Sequence, residues 1–245
     1  MSDPRLLVIP KRLAGVKKIY PIMSSKGGVG KTIISTLLAL TSSSLGCKTG
    51  LLDLDFTNPS THIVLGINPW EQEIIEEKGI IPPLVHGIKY LSITIFTREN
   101  PTPMRGEAVV NAFRELLAIT QWGELDALFI DTPPGISDEH LELLTYLGDK
   151  LEVVIVATPS PLAIKSVERL AEILLEGNYK IAGLVENMSG KPKLQKLAKN
   201  LRINYLGNIP YVKDIDEKIG NIELLRKTPI WEKVLEIANR LLGNK

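Results

Sequence analysis

Ser25-Lys26-Gly27-Gly28-Val29-Gly30-Lys31-Thr32 decides how the rest of the chain is read. An apolar run over residues 18–24 precedes it, and a segment of helical period over 31–45 follows. Glycines let the backbone curl tightly and turn successive N–H groups inward, an anion-binding nest at a helix N-terminus. Lys31 adds a point charge able to reach β- and γ-phosphates, and the Thr32 hydroxyl suits Mg²⁺. Average residue usage would produce such a string by accident in about one per cent of chains of this length. The strand–loop–helix setting makes the accident rarer. The stretch implies nucleotide binding.

Outward from that loop, short runs rich in Ile, Leu and Val alternate with helical patterns. The spacing predicts strands over 18–24, 49–55, 91–96, 127–131, 152–158, 181–187 and 204–207. It predicts helices over 31–45, 105–120, 137–147, 160–175, 193–201 and 230–242. Continuous apolar character, as in Val153-Val154-Ile155-Val156, suits strands covered on both faces. The alternation argues for an α/β fold, a three-layer, doubly wound, mostly parallel sheet in a single domain over 1–245. Residues 1–17 are expected to form a loosely packed extension of it. Pro21 falls inside the first strand and removes a ladder donor, which a central strand rarely allows. Ligands of such sheets bind beyond the carboxyl ends of the strands. Residues 24–32, 53–60 and 131–139, with Asn187, therefore mark one rim.

The 245 residues carry 29 Lys+Arg against 28 Asp+Glu, with 44% hydrophobic and 23% charged. That is ordinary globular composition, with no global bias toward nucleic acid or membrane. Arg5, Lys11, Arg12, Lys17 and Lys18 interrupt any N-terminal signal core, and no apolar stretch approaches the ~20 residues that cross a bilayer. Cys47 is the only cysteine, which excludes an intramolecular disulfide and any metal or cluster site held by several cysteines of one chain. A reduced, cytoplasmic protein is expected.

Lys26-Gly27-Gly28-Val29-Gly30-Lys31-Thr32 is the deviant Walker A pattern, and from here the chain resembles the MinD/ParA/Mrp branch of P-loop ATPases. Four further stretches resemble the Mrp-like members, close to the nucleotide-binding iron–sulfur carriers and scaffolds. They are Asp53-Leu54-Asp55 with Asn58-Pro59-Ser60 (switch I), Pro103-Met104-Arg105-Gly106, Asp131-Thr132-Pro133-Pro134-Gly135-Ile136-Ser137-Asp138-Glu139-His140 (switch II), and Val185-Glu186-Asn187-Met188-Ser189. The resemblance implies a slow, Mg²⁺-dependent ATPase that works as a nucleotide-switched homodimer. It implies catalytic roles for Lys26, Lys31, Asp55 and Asp131, with Lys26 completing the partner's site as an arginine finger would. It places Mg²⁺ with Thr32, Asp55 and Asp131. It places the nucleotide on Lys26, Gly27, Gly28, Val29, Gly30, Lys31, Thr32 and Ile33, with Asn187 on adenine and Pro210 lining the base pocket. A lone aspartate at a strand end is commonly a helix cap or turn residue. Two on one rim with a phosphate loop favour function.

The departures bear on cargo. The iron–sulfur carriers follow Val-Glu-Asn-Met-Ser with a Cys-Pro-x-Cys pair, whereas Gly190-Lys191-Pro192-Lys193 follows here. A cluster held in the family manner is not supported. Lys191, Lys193, Lys196, Lys199 and Arg202 occur there without an intervening acid, while Leu194, Leu197, Ala198 and Leu201 share one helical face. The cationic face is either solvated or a docking surface for DNA, anionic membrane or an acidic partner. Ser25 stands where most such loops have Gly, and Ile33 replaces a second hydroxyl residue. The final helix has mixed charges, which favours packing over membrane anchoring. His62, His86 and His140 show no metal-ligand spacing. Three roles remain: iron–sulfur cluster assembly, positioning on DNA or membrane, and an adaptor gating an unknown protein client.

Overall fold

Thr49–Asp53 and Val153–Ala157 are buried at every position, as strands with both faces covered must be. In the computed structural model, residues 3–97 and 106–243 are described. The chain opens with α1 (Arg5–Arg12), β1 (Val16–Met23), α2 (Lys31–Ser44), β2 (Thr49–Asp53) and α3 (Thr61–Leu65). A short hairpin of β3 (Ile75–Glu76) and β4 (Ile80–Ile81) precedes β5 (Leu84–Val85), β6 (Ile88–Ser92) and α4 (Thr94–Thr97). Next come α5 (Glu107–Ile119), β7 (Leu125–Asp131), α6 (Asp138–Leu147), β8 (Val153–Ala157), α7 (Pro161–Glu176) and β9 (Ile181–Glu186). The chain closes with α8 (Gln195–Asn200), β10 (Tyr205–Asn208), α9 (Ile222–Arg226) and α10 (Pro229–Leu242).

Eight strands form the main sheet in the order β10-β9-β8-β1-β7-β2-β6-β5. All neighbours are parallel except the edge pair β5–β6. The sheet and its flanking helices make the single-domain α/β architecture that the strand–helix alternation predicts. The order jumps at β1, so the loop after β1 opens at a topological switch point, where such sheets bind ligands.

Two expectations are corrected. The extension before β1 is not loosely packed: α1 lies against α5 and α6, with Ile9 and Leu13 buried in the core. It is only eight residues long with Pro10 inside, which gives no clear helical signal in the sequence, but Arg5 ties it to Asn111 of α5 at 2.8 Å. The third central strand is Ile88–Ser92 rather than 91–96. Gly87 turns there with φ 83°, and the Ser92 hydroxyl accepts the Thr94 N–H, curling the chain into α4.

Pro21 acquires a reason. The Ile19 carbonyl accepts the Glu152 N–H, so residues 19, 21 and 23 direct their backbone groups toward β8. Pairing with β8 is broken there, between the Ile19–Leu151 bridge and the Ile22–Val154 pair. The missing N–H therefore falls in a gap of the ladder, while the opposite side of β1 pairs with β7 without interruption around Pro21. The last helix packs on α2, burying Ile230, Trp231, Val234, Ile237 and Ala238. Among the described residues, no helix is long and apolar enough to cross a membrane.

Candidate functional site

Helices α7, α9 and α10 begin with side-chain caps from Ser160, Asn221 and Thr228. Helix α2 begins at Gly30 with φ 81° and no side-chain cap, which leaves its first amide donors to an anion. Gly28 is also left-handed (φ 76°), and a side chain at Gly27 or Gly28 would meet nothing, so the loop's outer side is open. Its inner side is closed: a Cβ at Gly30 would stand 2.4 Å from Asn187 Nδ2. Val29 is buried and Lys26 is exposed at the tip.

Strand β7 delivers Asp131 to this helix start, fully buried. Lys31 Nζ lies 2.6 Å from Asp131 Oδ1, the Thr32 hydroxyl donates to Oδ2 at 2.8 Å, and Ser35 Oγ donates to Oδ1 at 3.0 Å. Burial pushes the Asp131 carboxyl above its ordinary range, and the Lys31 ammonium and two hydroxyls pull it back. Thr32 and Ser35 lie one helical turn apart, so both reach the same carboxylate. Ile33 is half-buried against the core.

Asp53 stands opposite Asp131 in the β2–β7 register and is also fully buried. Its Oδ1 accepts the Asp55 N–H at 3.0 Å, and its Oδ2 accepts the Thr61 hydroxyl at 2.7 Å. One carboxylate thus holds both ends of the loop that carries Asp55. Burial, with the neighbouring Asp131 charge, pushes the Asp53 carboxyl up to about 7. Tyr90 OH, 3.0 Å from Thr61 Oγ1, extends the network to β6. Asp55 is nearly buried, and its Oδ1 accepts from the Thr57 hydroxyl at 2.7 Å.

Asn187 donates from Nδ2 to the Val29 carbonyl at 2.7 Å, so it braces the phosphate loop from below. Glu186, beside it, is fully buried and accepts the Lys193 and Leu194 N–H groups and the Tyr205 hydroxyl. The Ile209 carbonyl accepts the Ser189 N–H, which brings half-buried Pro210 to the same rim. Lys191, Lys193, Lys196, Lys199 and Arg202 are all exposed, while Leu194, Leu197 and Ala198 are buried. Helix α8 is shorter than the 193–201 expected, and the Lys193 and Leu194 amides just before it donate to Glu186. Cys47 precedes β2, at the end of the sheet opposite this rim. The Pro103-Met104-Arg105 segment lies outside the described residues.

The structure brings Lys31, Thr32, Asp131 and Asp55 onto one rim with Asn187. Sequence reasoning missed Ser35, Asp53, Thr61 and Glu186. The signal was there for Ser35, a turn beyond Thr32, while Asp53 pairs in register with Asp131 only in the folded sheet. Thr61 and Glu186 are found only through tertiary contacts. The donor set fits Mg²⁺, since Thr32 and Asp131 offer hard oxygens and Mg²⁺ keeps several waters of its own.

A glycine loop leaving the central strand, with its lysine and threonine on a buried strand-end aspartate, defines a P-loop NTPase. Residues 15–242 match the family described as "ParA: NUBPL iron-transfer P-loop NTPase", and the chain belongs to it. The iron–sulfur cluster carrier protein of Aquifex aeolicus is 34% identical over 85% of this chain and 61% of its own length. The cytosolic Fe-S cluster assembly factor CFD1 of Saccharomyces cerevisiae is 31% identical over 96% and 92%. Among solved structures, a nucleotide-binding protein from Archaeoglobus fulgidus in complex with ADP is similar, with TM-score 0.77 and 29% identity. That likeness covers 93% of this chain and 95% of the other.

Proposed function

We propose that this chain binds and slowly hydrolyses ATP with Mg²⁺, as a nucleotide-switched homodimer working in iron–sulfur cluster assembly. The observation that carries the reading is the convergence of Lys31, Thr32 and Ser35 on buried Asp131, beside a loop whose two ends are tied to Asp53. In the proposed reaction, the backbone amides of the glycine loop bind the β- and γ-phosphates. Lys31 moves from Asp131 to the phosphate oxygens. Thr32 and Asp131 would hold Mg²⁺, which would supply positive charge to offset that developing on the phosphates. Asp55 orients the attacking water and answers to the γ-phosphate through its loop. Lys26 is exposed at the tip, and in the proposed dimer it reaches the partner's nucleotide. Asn187 reads adenine through its amide oxygen while its nitrogen holds Val29, and Pro210 walls the base.

Asp55→Ala tests the enzyme. ATP binding should persist while phosphate release falls by about 100-fold or more; normal release would remove Asp55 from the mechanism. The role is tested separately. The relatives' names speak of carriers and assembly factors, yet this chain's single cysteine lies at the far end of the sheet. Anaerobic reconstitution with iron and sulfide should give no stoichiometric cluster held by one chain's own cysteines. Cluster absorbance at one per chain, retained after Cys47→Ser, would show other ligands.

A second reading is ATP-dependent positioning on DNA or anionic membrane, favoured by the exposed cationic residues of segment 191–202. Phosphate-rich surfaces attract such a face through counterion release.

A further inference from the structure

The loop that follows Asp131 is pinned at several points. The Thr132 hydroxyl donates to the Ile22 carbonyl at 2.8 Å, and the Gly135 N–H donates to the Ser24 carbonyl at 2.9 Å. His140, in the first turn of α6, closes the rest. Its Nε2 lies 3.0 Å from the Pro133 carbonyl, and its Nδ1 lies 2.8 Å from Ser137 Oγ. A carbonyl only accepts, so Nε2 carries the proton; in the neutral ring Nδ1 is then an acceptor for the Ser137 hydroxyl, a proton for which the Glu139 carboxylate competes. The ring is buried and bridges the two ends of Pro133-Pro134-Gly135-Ile136-Ser137. Burial favours the neutral ring. The charged groups that act on it are Glu139 of its own helix, Lys31 of α2 and Asp55 of the neighbouring loop. Both nitrogens are committed to the chain, so the imidazole is not exchanging protons with a substrate.

We propose that His140 is a positioning residue for hydrolysis, its neutral ring fixing the 132–137 loop against Ser24 so that Asp55 meets the terminal phosphate in one geometry. The inference rests on the ATPase reading above. A loop that lost this brace would still accept nucleotide, because the amide nest, Lys31 and Thr32 belong to other segments. It would misplace the groups around the γ-phosphate, and errors of about 1 Å in such groups can cost about 100-fold in rate.

Two variants of the full chain separate the brace from bulk. His140→Leu keeps volume and loses both hydrogen bonds. His140→Gln offers an amide N–H to Pro133 and an amide oxygen to Ser137. With ATP as the probe, His140→Leu should lower kcat by about 10-fold or more, with nucleotide Kd changed by less than about 2-fold. His140→Gln should recover most of the rate. Wild-type turnover should also fall on the acid side, below the ordinary imidazole range, as Nδ1 takes a proton and ceases to accept. His140→Gln should lack that limb.

The brace also has a readout independent of turnover: hydrogen exchange at the Gly135 amide, slow in wild type and in His140→Gln, should accelerate in His140→Leu. Unchanged Gly135 exchange or wild-type kcat in His140→Leu overturns the proposal, as does an acid limb retained in His140→Gln. Wild-type protein that exchanges slowly at Gly135 yet releases no phosphate sinks the ATPase reading instead.

Discussion

Two sets of charges, one around Asp131 and one along the 191–202 segment, obey different physics. Around Asp131, every named charge is buried: Asp131 and Asp53 are fully buried, and Lys31 is 6% exposed. Each is matched by a specific partner at hydrogen-bond distance. Along 191–202 every cation is exposed, and only the apolar side of α8 and the backbone are held, through Glu186. A buried charge acts individually, because its partner cannot turn to water instead. An exposed charge is screened and acts only as part of a field. The comparison separates an engine, in which single atoms matter, from a surface, in which only numbers of charges matter.

Lys31→Ala should break the comparison hardest. It leaves Asp131 buried with two hydroxyl donors and no cation. Removing one partner of a buried pair costs about 3–5 kcal/mol, and nucleotide affinity should fall by about 100-fold or more. The Asp131 carboxyl already lies above its ordinary range through burial, and Lys31 is the largest influence lowering it. Without that lysine it rises further. A folded-state value above the unfolded one gives stability that is present in acid and lost as pH rises. The variant's deficit, measured by denaturant unfolding, should therefore be smallest near pH 4 and grow toward pH 7. A deficit independent of pH would mean that Asp131 is not what Lys31 neutralises.

How far each region was legible follows from the same contrast. The glycine loop is a local pattern, and Asp131 ends a continuous apolar strand, so both stand out along the chain. The cationic face was legible from the spacing of Leu194, Leu197, Ala198 and Leu201. The clamp at Asp53 was not, because its partners Asp55 and Thr61 meet it only when β2 turns into α3. The β6 boundary was missed since Ile93, Ile95 and Phe96 continue an apolar run past the point where Ser92 captures the Thr94 amide. Glu186 read as part of a motif, while its work is to hold Lys193, Leu194 and Tyr205 across an eight-residue turn and a strand. Local chemistry was readable; polar groups that join distant segments were not.

Glu186→Gln sharpens the comparison at the junction of the two regions. Glu186 faces donors from Lys193, Leu194 and Tyr205, and Tyr205's own burial, with that carboxylate beside it, raises the Tyr205 hydroxyl. An amide nitrogen in one oxygen's place would oppose donor to donor. The variant should lose about 1–3 kcal/mol, and trypsin should cut after Lys193 faster than in wild type. ATP binding should change little if Asn187 keeps its hold on Val29. A loss of ATP affinity as large as the loss of stability would show that the two regions are one unit.

The smallest effect should come from Lys196→Ala combined with Lys199→Ala. Both side chains are exposed on α8, away from buried Leu197 and Ala198. Surface changes of this kind stay within about 0.5 kcal/mol of stability, and alanine is the better helix former. The informative readout is therefore electrostatic. If segment 191–202 meets DNA phosphates in the ATP-bound protein, the slope of log affinity against log salt should shrink by about one for each lost contact. Affinity should fall across all DNA sequences alike, since a lysine on a phosphate carries no sequence information. Binding that weakens with an unchanged salt slope would mean that the lysines support a neighbouring contact instead of making one. Unaltered binding would return the face to solvent and leave the region centred on Asp131 to act without it.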